Sequence, residues 1–263
     1  MMPFGLPFTG RPRAGASPPP PPWTPTDPGT PALWLDCQTA ALWQDTGGTT
    51  PASSPGDPVA RANVAYGTNL TQATGSARPT RSTIGSAVAL LGDASDDRLA
   101  STQTIADAAA TLAVVYKYGS SLGASVRQIL CAMGVAGSKR WTLHTAGASA
   151  SLPYLSWTLA GGSSTAHVGA DVVVGDTARH VLVVKYLGGT VTDTANWRCW
   201  VDGAAQTVVT RAALTPAGTT AVLARSDGTT ASGAALGEYI VWASALSDAD
   251  CEAASSYLLG RWP

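Results

Sequence analysis

From residue 86 to residue 243 the chain is written in short runs rich in β-branched and aromatic residues, each closed by a small or polar turn. SAVALL (86–91) ends at GDASDD, ATLAVVYKY (110–118) at GSS, and VRQILCAMGV (126–135) at GSK. RWTLHTA (140–146), YLSWTLA (154–160), ADVVVGD (170–176), HVLVVKYL (180–187) and NWRCWVDG (196–203) come next. AQTVVTRA (205–212), TAVLARSDG (220–228) and GEYIVWA (237–243) complete the series. Such brief segments with Gly-rich punctuation specify an antiparallel sandwich or barrel. Within NWRCWVDG, alternation puts Trp197, Cys199 and Val201 on one face and Arg198 and Trp200 on the other. Asp202-Gly203 supplies the positive-φ turn of a hairpin.

Ahead of this series, ALWLD (32–36) reads as a strand with Leu33 and Leu35 opposing Trp34, and ALWQD (41–45) comes after it. The stretch from residue 46 to residue 83 is polar and broken by Gly and Pro. It is expected to be mostly loop with one or two short strands.

The chain closes on GEYIVWASALSDADCEAASSYLLGRWP. Ser247 is placed to cap a helix, with Asp250 three residues on. Asp248, Asp250 and Glu252 put negative charge on the first turn, where the helix dipole favours it. Cys251, Ala254 and Leu258 share a face, with Tyr257 beside them. Gly260 is the expected residue just past the helix end. A helix here would cover a finished sandwich.

Residues 1–31 differ in composition. They hold Pro3, Pro7, Pro12, Pro18 to Pro22, Pro25, Pro28 and Pro31. Proline fixes φ and removes backbone donors, so an extended arm is expected, separate from a sandwich spanning 32–263. The only two phenylalanines of the chain, Phe4 and Phe8, lie in it, with Leu6 between them and Arg11 and Arg13 further along. An extended chain would present Phe4, Leu6 and Phe8 on one side, suited to docking on a partner.

Charged residues are 13% of the chain and the net charge is −1. A typical soluble domain carries about a quarter charged residues, so the surface leans on Thr, Ser, Gly and Ala, as in particle components. Without a basic stripe, a nucleic-acid partner is not expected. No apolar stretch approaches the roughly 20 residues of a membrane span, and the start lacks a secretory signal pattern. Cys37, Cys131, Cys199 and Cys251 lie far apart and read as buried thiols, with one disulfide as the alternative.

The closing phrase LGEYIVWASALSDADCEAASSYLLGRW resembles the end of concanavalin A-like lectin/glucanase domains, of the laminin-G-like kind found in many bacteriophage virion proteins. LWLDC is similar to the opening strand, TQATGSARPTR (71–81) to the polar loop ending in Arg-Pro, and VALLGDASDDRLAS to the strand leading into a Gly-Asp turn. HVLVVKYLGG together with CWVDGAAQ is similar to the paired strands around a Val-Asp-Gly turn. The resemblance spans about residues 32–262. It implies a jelly-roll sandwich with a short C-terminal α-helix.

Candidate chemistry is sparse. Glucanases of this fold use Glu-x-Asp-x-x-Glu on one strand, and a sugar-cleaving pair needs two carboxylates across a cleft. The chain has two glutamates, Glu238 and Glu252, far from that motif, so no enzyme is expected. GSSLG (119–123) matches the nucleophile-elbow pattern around Ser121. The elbow needs a helix after its turn, whereas ASVRQILCAMG reads as a strand, so a plain turn is expected. GDASDDR (92–98) clusters Asp93, Asp96 and Asp97. Hard cations need converging oxygens, and the resemblance implies calcium near a rim loop. Strand tryptophans are expected mainly in the core, with one or two left for a surface. Asn69-Leu70-Thr71 is a glycosylation sequon, relevant only in a eukaryotic secreted protein.

These readings and the resemblance together imply a non-enzymatic virion structural protein, such as a capsid decoration, head fibre or tail-associated component. Its arm would dock on capsid or tail proteins and its sandwich would be displayed; the resemblance alone implies a homo-oligomer, preferably a trimer. The alternative is a carbohydrate-binding module that recognises host-surface glycans.

Overall fold

The computed structural model describes residues 22–106, 108–120, 127–135, 139–147, 153–161, 164–173, 176–190, 193–211, 220–223 and 233–262. In chain order, β1 (Leu33–Asp36), β2 (Leu42–Trp43), β3 (Arg61–Ala62) and β4 (Leu70–Thr71) come first. They precede β5 (Thr80–Ile84), β6 (Ala87–Leu91), β7 (Leu99–Ser101) and β8 (Thr104–Ile105). The long strands are β9 (Ala110–Tyr118), β10 (Arg127–Val135), β11 (Lys139–Gly147), β12 (Pro153–Gly161), β13 (Ser164–Val173) and β14 (Arg179–Tyr186). After them come β15 (Trp197–Val201), β16 (Ala204–Gln206), β17 (Val208–Arg211), β18 (Thr220–Val222), β19 (Ala234–Trp242) and the helix α1 (Asp248–Arg261).

The smaller sheet runs β16-β15-β14-β9-β19-β6-β5, with β1 also beside β19. The larger runs β17-β13-β12-β11-β10-β18-β7-β4-β3-β2, with β8 beside β10. Pairings are antiparallel apart from β8 with β10. The fold is therefore the expected all-β antiparallel sandwich with a short C-terminal helix. Both sheets feed one apolar core, and Tyr239 of β19 meets Cys131 of β10 across it.

Alternation decides what faces that core. In the larger sheet Leu42, Ala62, Leu70, Leu99, Cys131 and Val222 point inward and are buried. In the smaller sheet every residue of β19 is buried. One face of that strand meets the larger sheet; the other lies under α1 and the segment that starts at residue 22. That second cover explains why Trp200, on the face opposite Trp197, Cys199 and Val201, is also buried, at 3% exposed. It lies beneath Lys185, whose Nζ donates to the Leu246 carbonyl at 3.0 Å and pairs with Asp248.

Several boundaries differ from the sequence expectation. The run 205–212 splits into β16 and β17, which join different sheets. The helix cap is as expected: Ser247 Oγ accepts the Asp250 N–H at 3.0 Å. Its end is not, because the helix continues through Gly260 to Arg261. Contacts of Arg261 and Trp262 with the sheet outweigh the glycine's preference to end the helix. The packed chain also starts earlier than residue 32. Trp23 lies against Trp242 and Tyr257, and the Trp242 Nε1–H donates to the Pro25 carbonyl at 2.9 Å. The expected hairpin turn forms at Asp202 (φ 49°) and Gly203 (φ 85°).

Candidate functional site

Backbone register places Trp43 opposite Arg61, Arg61 opposite Thr71, and Thr71 opposite Ala100. Residues directly opposite share a face. Because the neighbouring Leu42, Ala62 and Leu70 point into the core, this row points out from the larger sheet. An open cleft of about 540 Å³ forms there, lined by Arg61, Thr68, Asn69, Thr71, Ala100, Ser101 and Thr102. That volume is in the range of small-ligand sites. Its walls combine carbon surface, Ala100 included, with hydroxyls, one amide and one guanidinium, a mixture that suits the apolar and hydroxyl faces of a sugar.

The walls are held by local hydrogen bonds. Ser101 Oγ donates to the Thr68 carbonyl and accepts the Gln103 N–H, both at 3.1 Å. Asn69 Oδ1 accepts the Val64 N–H at 3.1 Å and so ties the β3–β4 loop. Arg61 Nε donates to Asn63 Oδ1 at 2.8 Å, and Nη1 reaches the carbonyls of Thr46 and Gly47 at 3.4 Å. The same β3–β4 loop carries Tyr66, which is 36% exposed and stacks on Trp34 at 6.1 Å with an interplanar angle of 4°.

The acidic turn does converge. One carboxylate oxygen from each of Asp93, Asp96 and Asp97 lies within 4.8 Å of the others. Asp97 is 4% exposed and accepts the Asp93 N–H at 3.0 Å. Burial, then the neighbouring Asp93 charge, push its carboxyl up to about 7. These oxygens fit a hard cation in type and spacing.

Two other carboxylate groups are structural in their contacts. Glu238 is fully buried; its Oε1 accepts the Trp34 indole N–H and its Oε2 the Trp262 indole N–H, each at 2.8 Å. Glu252 is exposed on α1. His180 is clamped by Asp202 at Nδ1 (2.8 Å) and Asp176 at Nε2 (2.9 Å), and Asp202 also accepts the Val181 N–H at 2.8 Å. Those two carboxylates raise the imidazole's affinity for its proton against the opposing effect of burial. This clamp joins β14 to the β15–β16 turn. Ser121 lies outside the described residues, as do Phe4, Leu6, Phe8, Arg11 and Arg13.

The cleft was not foreseen from sequence. Arg61, Thr68, Asn69 and Thr71 come from the polar stretch expected to be loop and Ala100 to Thr102 from beyond it, on strands of two or three residues that carry no period. The available signal was the string of amide and hydroxyl residues in TNLTQ.

No protein-family model and no curated protein matches the chain. Solved structures that align with the chain include the CBM40 module of a Ruminococcus gnavus IT-sialidase bound to α2,6-sialyllactose, at 18% identity and a TM-score of 0.37, covering 58% of this chain and 84% of that one. A Trypanosoma rangeli sialidase aligns over 91% of this chain and 36% of its own, at 11% identity and a TM-score of 0.48. Botulinum neurotoxin type C, which interacts with two ganglioside molecules, aligns over 83% of this chain and 50% of its own, at 11% identity and a TM-score of 0.45.

Proposed function

We propose that the protein is a non-catalytic, lectin-like sandwich that binds a glycan in the cleft on the outer face of the larger sheet. The observation that carries this reading is the row Arg61–Thr71–Ala100, set by strand register and rimmed by Thr68, Asn69, Ser101 and Thr102. An open cleft with hydroxyl, amide and guanidinium groups set in carbon surface suits polyols, and no carboxylate is among the described residues that line it. The chain's two glutamates support the same reading, since one is buried in the sheet and the other sits on α1. The test is a glycan array probed with the full chain and with Thr71→Gln plus Thr102→Gln. Both threonines are exposed, so the longer side chains fill the cleft without touching the core. Selective binding that the double variant loses supports the reading; binding it retains, or none at all, overturns it.

We further propose that the sandwich is displayed on a larger particle, a virion, through residues 1–21 docking on capsid or tail proteins, with a trimer as the assembly. What supports this is the arm's composition together with its exit point. Trp23 and Pro25 lie over the smaller sheet beside α1, whereas the cleft opens from the larger sheet. The described end of the arm on one side and a site facing the other suit attachment and display. Replacing Phe4 and Phe8 by Ser tests it: particle incorporation and trimer mass should both fall, and unchanged incorporation would place attachment elsewhere. Asp93, Asp96 and Asp97 are proposed to take calcium.

A further inference from the structure

We infer that the cleft selects glycans bearing an anionic group, carboxylate or sulfate, and that Arg61 reads it; this rests on the glycan-binding reading above. Arg61 is the one charged side chain among the described residues lining the cleft. Its hydrogen-bond partners are neutral: the Asn63 amide oxygen and the carbonyls of Thr46 and Gly47. Among the described residues no carboxylate pairs with it.

The carboxylates nearest in sequence are committed elsewhere. Asp45 accepts the N–H groups of Thr49 (3.1 Å) and Thr50 (2.6 Å), which build the loop over Arg61. Asp57 accepts those of Ser53 and Ser54, both at 2.8 Å. Asp36 belongs to Arg261. The guanidinium is thus oriented by Asn63 yet not neutralised. A fixed, uncompensated guanidinium beside hydroxyls attracts a planar carboxylate or a sulfate far more than a neutral sugar. The Asn63 bond at Nε fixes the plane of the fork, so the orientation entropy is lost before the ligand arrives.

The test uses the full chain in titration calorimetry with four probes. These are an oligogalacturonate, its carboxyl-reduced neutral counterpart, a sulfated galactan oligosaccharide and its desulfated counterpart. At least one anionic probe should bind roughly ten- to hundred-fold tighter than its neutral partner. That margin should shrink with added salt and vanish in Arg61→Gln, while Arg61→Lys keeps part of it. Whichever anion keeps the margin identifies the group read. Equal binding of charged and neutral probes, or an unchanged margin in Arg61→Gln, overturns the inference and leaves glycan binding intact. If no probe binds and the glycan array is also blank, both readings fall.

Discussion

Asp36 and Glu238 stand directly opposite one another in the pairing of β1 with β19, two carboxylates in one buried cross-strand pair. Like charges placed so are destabilising. The chain's end resolves the conflict. Arg261 pairs with Asp36 through Nη2, approaches Glu238 Oε2 with Nε at 3.6 Å, and donates from Nη1 to the Tyr257 hydroxyl at 2.7 Å. Trp262 adds its indole N–H to Glu238. Thr39 Oγ1 at 2.6 Å and the Gln38 N–H at 3.0 Å satisfy Asp36 from its own turn. The Arg-Trp ending is thus a latch that fastens α1 to the smaller sheet.

Removing the latch cation should be costly. Arg261→Met is expected to lower unfolding free energy by about 2–4 kcal/mol, because it strands two carboxylates out of water. Asp36→Asn in that background should recover part of the loss. Denaturant unfolding of the two singles and the double gives the coupling. Additive losses would show that Arg261 does not serve the pair.

Gly237 is required by a close approach. A Cβ there would sit 2.6 Å from the Trp262 ring. Gly237→Ala should therefore loosen Trp262 and lower the melting midpoint, with the indole fluorescence shifting red. An unchanged midpoint would mean that the ring has room to move.

Stability should fall as pH rises from about 4 to about 7. Burial raises the Glu238 carboxyl to about 7, against the opposing indole hydrogen bonds, and raises Asp97 to about 7 as well. A carboxyl raised in the folded state binds its proton more tightly there than in the unfolded chain. Its contribution is complete below the unfolded value near 4 and is lost as pH climbs through 7. His180, also raised, acts in the same direction over the upper part of this window. Melting midpoints from pH 4 to 8 should decline in the wild type and decline less in Glu238→Gln and in Asp97→Asn. Below pH 4 the trend reverses, because Asp45 is lowered to about 2 and Asp176 is lowered too.

Calcium should relieve the charge at the acidic turn. Millimolar calcium is expected to raise the melting midpoint at pH 7.5 and to do nothing in Asp97→Asn. A wild-type midpoint indifferent to calcium would show that the three aspartates hold no cation.

The packed segment of the arm predicts a graded truncation series. Deleting residues 1–21 should leave the melting midpoint unchanged. Deleting residues 1–30 takes away Trp23 and Pro25 and should cost about 1.5–3 kcal/mol, the worth of one large apolar side chain. Equal stability of the two would contradict the packing of Trp23 on Trp242 and Tyr257.

Period made the long strands legible in the sequence. β9 and β14 are long and β-branched, and the structure places them at or within one residue of the runs 110–118 and 180–187. Ser247 announced its helix because a cap is a local interaction. The end of α1 was hidden for the opposite reason: Gly260 is a local stop signal, overridden by contacts to Asp36 and Glu238 that lie far away in sequence. The boundary at residue 32 was hidden similarly. Proline spoke against strands, and residues 22–31 form none, but Trp23 needed none to pack on Trp242. The cleft was illegible because its row joins residues 43, 61, 71 and 100, each on a strand too short to show alternation.

The most direct test of glycan binding is amide chemical-shift mapping of the labelled full chain with a glycan selected on the array. Perturbations should centre on Arg61, Thr68 to Thr71 and Ala100 to Thr102, with α1 and the Trp23 segment silent. Perturbations confined to the face under α1, or spread without a focus, would contradict glycan binding at the larger sheet.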